Sequence, residues 1–216
     1  MASRWKVMLT ALGAALVLFS AVGVASAGRF SVSSGSFRAT WAPIIYEGGG
    51  FRVECNITIE GSFHSRTITK VVSTLVGYVT RATVTQPCTG GAWYYLNGVE
   101  VLRGVTLANT LPWHIRYRSF TGTLPNIQKI GLDVVDYSFL IESPLIIGCL
   151  FRSTAARPIQ WNLVREAGGA VTSVEEPATQ IPLKEGGFGC PSEITFTGTG
   201  RFMVLGTTTA VTVSLI

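Results

Sequence analysis

Two histidines are the obvious general bases in this chain. His64 sits in Ser62-Phe63-His64-Ser65-Arg66, and His114 sits in Pro112-Trp113-His114-Ile115-Arg116. An imidazole can take a proton from a serine hydroxyl when an acid holds the ring in place. Ser62 and Ser65 flank His64, so a small secreted hydrolase using His64 or His114 is one functional reading. No G-x-S-x-G elbow is present to expose a nucleophile. His114 also falls on the polar phase of its segment, where a side chain is simply solvated. The expectation is that no catalytic residue is carried, with the hydrolase as an alternative.

The carboxylates give no clear acid–base pair. Glu54 and Glu60 share a strand face, but at ~3.4 Å per residue they stand about 20 Å apart, too far for glycoside hydrolysis. Asp133 and Asp136 are closer but straddle a change of phase. Glu175-Glu176, just before Pro177, reads as a solvated loop. There is no carboxylate-rich calcium loop and no C-x-x-C pair for zinc. Gly198-Thr199-Gly200 lacks the third glycine and the helix of a phosphate loop, and reads as a hairpin turn. Neither a metal nor a cofactor is expected.

A binding role is better supported. Trp93-Tyr94-Tyr95 follow Cys88-Thr89-Gly90-Gly91. Three consecutive aromatics in a strand cannot all face one core. At least one points outward unless a second layer covers it. An exposed ring beside a disulfide-braced loop can stack on a sugar or on a partner protein. Trp93, Tyr94 and Tyr95 are therefore the candidate ligand-binding residues, against the plainer reading of a strand buried on both faces.

The four cysteines, Cys55, Cys88, Cys149 and Cys190, point to an oxidising compartment. An even number behind an export signal reads as disulfides. Three pairings are possible. Chain neighbours, Cys55–Cys88 and Cys149–Cys190, are the simplest. Each bridge then stabilises by roughly 4 kcal/mol through loop closure.

The export signal itself spans 1–27. Arg4 and Lys6 form a positive start, the run from Val7 to Ala25 carries no charge, and Ala25-Ser26-Ala27 supplies a small-residue cleavage site. An uncleaved membrane anchor is the alternative, because the run is barely long enough to span a bilayer. Cleavage leaves 28–216 as one β-rich domain, exported by the general secretory route. Losing Arg4 and Lys6 takes Lys+Arg from 17 to 15 against 12 Asp+Glu, a net charge of +3. That charge is spread along the chain. Nucleic-acid modules cluster theirs, so no nucleic-acid partner is expected, and membrane contact only through an uncleaved start.

With 47% hydrophobic and 13% charged residues, the chain is neither disordered nor a coiled coil. Its dominant period is two. Phe51, Val53, Cys55, Ile57 and Ile59 alternate with polar residues. So do Trp113, Ile115 and Tyr117; Ile159, Trp161 and Leu163; Ile194 and Phe196; and Val211, Val213 and Leu215. Such runs are half-buried strands. The phase changes near Val135, which suggests a bulge. Gly168-Gly169 reads as a hairpin tip, and Gly198, Gly200 and Gly206 divide a C-terminal meander. Ile68, Val71, Val72, Leu75, Val76 and Val79 follow helical spacing, which predicts one helix over 66–80 packed on the sheet. The expected fold is mainly β, an antiparallel sandwich or flattened barrel with that one amphipathic helix.

Several strings taken together are similar to a group of secreted bacterial proteins of all-β type. They are Glu60 to Ile68, Gly77 to Ala82, Cys88-Thr89-Gly90-Gly91, Leu111 to Ile115, Phe120 to Pro125, and Gly198 to Thr209. The resemblance implies export and a bacterial source. It implies no activity and no functional residue. The leading functional expectation is a non-enzymatic extracellular or cell-envelope protein that binds a glycan or another protein. Besides the hydrolase, an envelope structural protein assembling through β edges is the other alternative.

Overall fold

The computed structural model describes residues 28–91, 103–106, 110–143 and 146–216. Residues 1–27, expected from the sequence to be a signal segment, and the aromatics Trp93, Tyr94 and Tyr95 lie outside the described residues. Fourteen strands are described. Five are long: β2 (Ser36–Gly48), β3 (Phe51–Phe63), β5 (Leu75–Gly91), β12 (Ala170–Glu185) and β13 (Glu193–Val204). The rest are shorter: β1 (Phe30–Val32), β4 (Thr67–Ile68), β6 (Arg103–Thr106), β7 (Trp113–Thr123), β8 (Asn126–Val135), β9 (Ser138–Ser143), β10 (Ile146–Arg152), β11 (Ile159–Arg165) and β14 (Val211–Leu215).

The ladder closes on itself. Its order β11-β8-β7-β5-β3-β2-β13-β12 returns to β11 through a β11–β12 pairing, and every pairing is antiparallel. The result is an eight-stranded barrel. The length of the five long strands creates a second tier. Beyond the reach of β7, β8 and β11, the long β12 pairs β10, which pairs β9, which pairs β6. β6 then lies against β5. The two tiers share their long strands and exchange their short ones. The small sheet of β1, β4 and β14 joins the first tier through β12.

Period-two patterning fills this barrel. Val53, Cys55, Ile57 and Ile59 are buried, as are Trp113, Ile115 and Tyr117, and Ile159, Trp161 and Leu163. Large rings dominate the centre: Trp41, Trp113, Trp161, Tyr46, Tyr137, Phe37, Phe139, Phe196 and Phe202 are all buried. Each such side chain contributes roughly 1.5–3 kcal/mol on burial, so the interior is a packed core.

Three local expectations are corrected. The 66–80 stretch is not a helix. It forms β4, a turn with Ser73 at φ 64°, and the start of β5. Val71 and Val72 of the presumed stripe are 63% and 64% exposed. β-branched residues favour strands, and β7 accepts the segment through Ser73 N–H to the Tyr117 carbonyl and Tyr117 N–H to the Thr74 carbonyl. Gly198-Thr199-Gly200 is no hairpin turn but the middle of β13, with a register shift between Gly198 and Gly200. Glu175-Glu176 is no loop but lies within β12, and Glu176 is buried. The phase change near Val135 is the corner where β8 gives way to β9, with Asp136 at φ 70°. Gly168-Gly169 does turn the chain between β11 and β12.

The cysteines pair as Cys55–Cys88 and Cys149–Cys190. The first crosslinks the neighbouring strands β3 and β5. The second ties β10 to the β12–β13 loop.

Candidate functional site

Three places bring chemistry-bearing side chains together. The first is a strip on the outer wall of the barrel. Tyr78 of β5 pairs in register with His114 of β7, and the rings meet edge-on at 5.4 Å. His64, just past β3, packs edge-on against the other side of Tyr78 at 4.6 Å. His114 Nδ1 lies 3.0 Å from Asp136 Oδ2, and the other Asp136 oxygen accepts from Arg152 at 2.8 Å. The barrel thus gathers both histidines around one tyrosine and gives His114 an orienting acid.

The corner that presents Asp136 is well built. Ser153 donates its hydroxyl to the Val134 carbonyl and accepts from the Tyr137 N–H, while Ser138 donates to the Asp136 carbonyl. Both serines are fully buried and committed to this corner. An open cleft of about 350 Å³ adjoins it, lined by Asp136, Arg152, Thr154, Pro182, Leu183 and Lys184. Among the described residues no serine, threonine or cysteine is hydrogen-bonded to His114. Among the described residues His114 thus has an orienting carboxylate, as a triad histidine has, but no hydrogen-bonded nucleophile. Asp133, the other carboxylate considered in the sequence, turns to Arg118 at 3.1 Å instead. Burial lifts its carboxyl, and Arg118 and Arg116 pull it back. Glu54 is paired with Arg52, and Glu60 with Arg38 and Arg81.

The second place is a loop at the second-tier rim. Phe188 is 99% exposed between Gly187 and Gly189. Gly189 takes φ 96°, a conformation that suits glycine. The base of the loop is fixed from two sides. Cys190 is bridged to Cys149 on β10. Pro191 sits so close to Gly49, in the β2–β3 turn, that a Cβ there would stand 2.7 Å from the proline ring. β5 reaches the same rim, since Arg52 pairs with Gly91 and Phe51 with Gly48. Gly91 immediately precedes the segment that holds Trp93, Tyr94 and Tyr95. Sequence reading missed Phe188. The signal was there, an aromatic between glycines two residues before a cysteine.

The third place is inside the barrel. Glu176 is only 4% exposed, and among the described residues neither carboxylate oxygen makes a well-aligned hydrogen bond, the Trp161 indole N–H being the donor that faces it. Burial pushes its carboxyl well above the usual carboxylate range, with the Trp161 indole N–H opposing that shift. The Tyr46 and Tyr137 hydroxyls meet at 2.6 Å in the same core. Burial raises both, and the field of Glu176 adds to it. No family model matches this chain, and neither a curated protein nor a solved structure is similar to it at a significant level.

Proposed function

We propose that this is an exported, non-enzymatic protein of the extracellular space or cell envelope, and that it binds a protein partner through its second-tier rim. The observation that carries the reading is Phe188. Exposing a whole phenylalanine to water is unfavourable, and here the loop that does so is pinned by a disulfide and a proline–glycine contact. A single rigid aromatic on a braced loop suits insertion into an apolar pocket, the pattern of an interface anchor. A sugar platform would also need polar side chains beside the ring, and the neighbours of Phe188 are glycines. Two disulfides are compatible with an oxidising, extracellular compartment.

The test is retention of oxidised 28–216 on cell-envelope fractions and on insoluble polysaccharides, with Phe188→Ala alongside. Losing a buried phenylalanine contact of roughly 1.5–3 kcal/mol weakens affinity about 10- to 100-fold. Protease-sensitive retention on the envelope, reduced to that extent in the variant, supports the reading. Retention that ignores Phe188 overturns it, and retention on polysaccharide alone transfers the reading to glycans. The hydrolase alternative draws on the His114–Asp136 contact. It requires a nucleophile to reach His114, and ester or glycoside turnover abolished by His114→Ala would establish it.

A further inference from the structure

An open cleft of about 370 Å³ lies beside the small sheet of β1 and β4. Its polar lining is Arg29, His64, Ser65, Thr67 and Thr69, and Leu75 and Val76 give it an apolar wall. The backbone sets each polar residue in place. β1 and β4 pair Phe30 with Ile68 and Ser31 with Thr67. One step further, that register sets Arg29 opposite Thr69. Phe30 and Ile68 are buried in the core, so strand alternation puts Arg29, Thr67 and Thr69 together on the outer face. The Arg29 backbone is held from the other side, where it exchanges two 2.8 Å hydrogen bonds with Ile216. The His64 N–H donates to the Val76 carbonyl at 2.9 Å, and Tyr78 packs edge-on against the imidazole. The Ser65 hydroxyl accepts from the Thr67 N–H at 3.1 Å, which fixes the bend between β3 and β4.

Every polar side chain in this cleft has a proton to donate. Among the described residues the Arg29 guanidinium makes no ion pair, and neither the His64 ring nitrogens nor the Thr67 and Thr69 hydroxyls have a hydrogen-bond partner. The Ser65 hydroxyl accepts one bond and keeps its own proton free. An imidazole offers an N–H in either charge state. No carboxylate lines the cleft. β1, β4, β5, β7 and β14 contain no Asp or Glu, and the chain has none over 28–46 or over 61–99. Glu60, just before His64 in the chain, is held by Arg38 and Arg81. A free guanidinium among donors, with no acid beside it, makes a field for an anion. One guanidinium fork already covers a planar carboxylate. Donors arriving both from β1 and from the 64–69 segment instead suit a group with oxygens on several sides, as a tetrahedral phosphate or sulfate has.

We propose that this cleft is an oxyanion-binding site, which takes a tetrahedral phosphate or sulfate group as the free ion or as a monoester. Arg29 supplies the charged fork. The His64 ring and the hydroxyls of Ser65, Thr67 and Thr69 supply the remaining donors. Leu75 and Val76 keep water from one wall, which strengthens the attraction. The volume falls within the range of about 300–1,000 Å³ typical of small-ligand pockets. The site is separate from Phe188, which stands on the β12–β13 loop at the second-tier rim, whereas β1 and β4 join the first tier.

The deciding experiment is an NMR titration of oxidised 28–216 with inorganic phosphate, inorganic sulfate, glycerol phosphate and acetate, at constant pH and ionic strength. His64→Gln identifies the His64 ring signals among those of the two histidines. The expected result is a saturable shift of the His64 ring and of the Ser65–Thr69 amides with phosphate and sulfate. Arg29→Gln should weaken that binding about tenfold, the loss of one charged hydrogen-bonding partner. Arg201→Gln, at an exposed arginine of β13 with no ion pair among the described residues, should leave it unchanged. Glycerol phosphate binding more tightly than the free ions assigns the site to a monoester, and weaker binding assigns it to the free ion. A shift that never saturates would overturn the proposal, as would acetate binding as tightly as phosphate. Equal losses in Arg29→Gln and Arg201→Gln would also overturn it, because general attraction to a basic protein would then account for the binding. Arg29 is exposed, so its substitution leaves the core intact.

Discussion

Trp161 and Glu176 face each other across the β11–β12 pair, an indole against a carboxyl that has no charged partner among the described residues. Because burial favours the neutral acid, the folded protein holds a proton that the unfolded chain releases near pH 4.3. The native state then binds more protons than the unfolded state above that pH, and stability falls as pH rises. Below about pH 4.3 the contribution is complete and flat. Above it, the loss proceeds at up to about 1.4 kcal/mol per pH unit until the folded carboxyl itself ionises. Glu176→Gln cannot titrate. The stability of the variant minus that of the wild type should therefore grow from pH 4.5 to 7 in urea unfolding. Parallel pH profiles would show that Glu176 is ionised in the fold.

Gly200 is held to glycine by its neighbours. A Cβ there would meet the Trp41 ring at 2.8 Å and the Thr40 carbonyl oxygen at 2.9 Å, and the oxygen belongs to a paired strand that cannot step aside. Gly200→Ala should cost about 1–3 kcal/mol, as overpacking does. Gly35 is the control, because a Cβ added there would meet no atom within 4 Å. Gly35→Ala should be neutral or slightly stabilising. Equal melting temperatures for the two variants would contradict the packing of Trp41 on β13.

Asp136 carries two burdens, a left-handed backbone and the contacts to His114 and Arg152. The side chains are partly exposed, so the ion pairs are worth under about 1 kcal/mol. Asn tolerates positive φ, whereas a β-branched residue does not. Asp136→Asn should therefore cost less than about 1 kcal/mol, and Asp136→Val at least 1–2 kcal/mol more. Equal costs would mean that the contacts, rather than the backbone, set the role of this corner.

The β architecture was legible because period two survives in most strands, with Trp113, Ile115 and Tyr117 buried as the alternation requires. The disulfide pairing followed from chain neighbours. What stayed hidden was tertiary. The Ile68–Val79 spacing mimics a helix, and only the hydrogen bonds from β7 to Ser73 and Thr74 decide against it. Glu176 looked solvated because a charged pair before a proline ordinarily is. The inward phase of β12 appears only when Glu175 is seen to pair outward with Lys129. The gathering of His64, Tyr78 and His114 depends on strand order, which no local pattern encodes.

The two disulfides should separate stability from function. Their loops span 33 and 41 residues, and chain entropy alone gives each about 4 kcal/mol. Both single removals, Cys55→Ala with Cys88→Ala and Cys149→Ala with Cys190→Ala, should lower urea stability by up to that amount. Their effects on binding differ. Cys55 and Cys88 join adjacent strands whose ladder persists without the bridge. Cys190 is the covalent anchor of the loop that carries Phe188. Removing it frees the loop to sample other shapes, and partner binding must then cover the entropy of ordering them again. Affinity should therefore drop severalfold in the Cys149/Cys190 variant and stay unchanged in the Cys55/Cys88 variant, measured at a temperature where both remain folded. Equal affinities in the two variants would remove Phe188 from the binding surface.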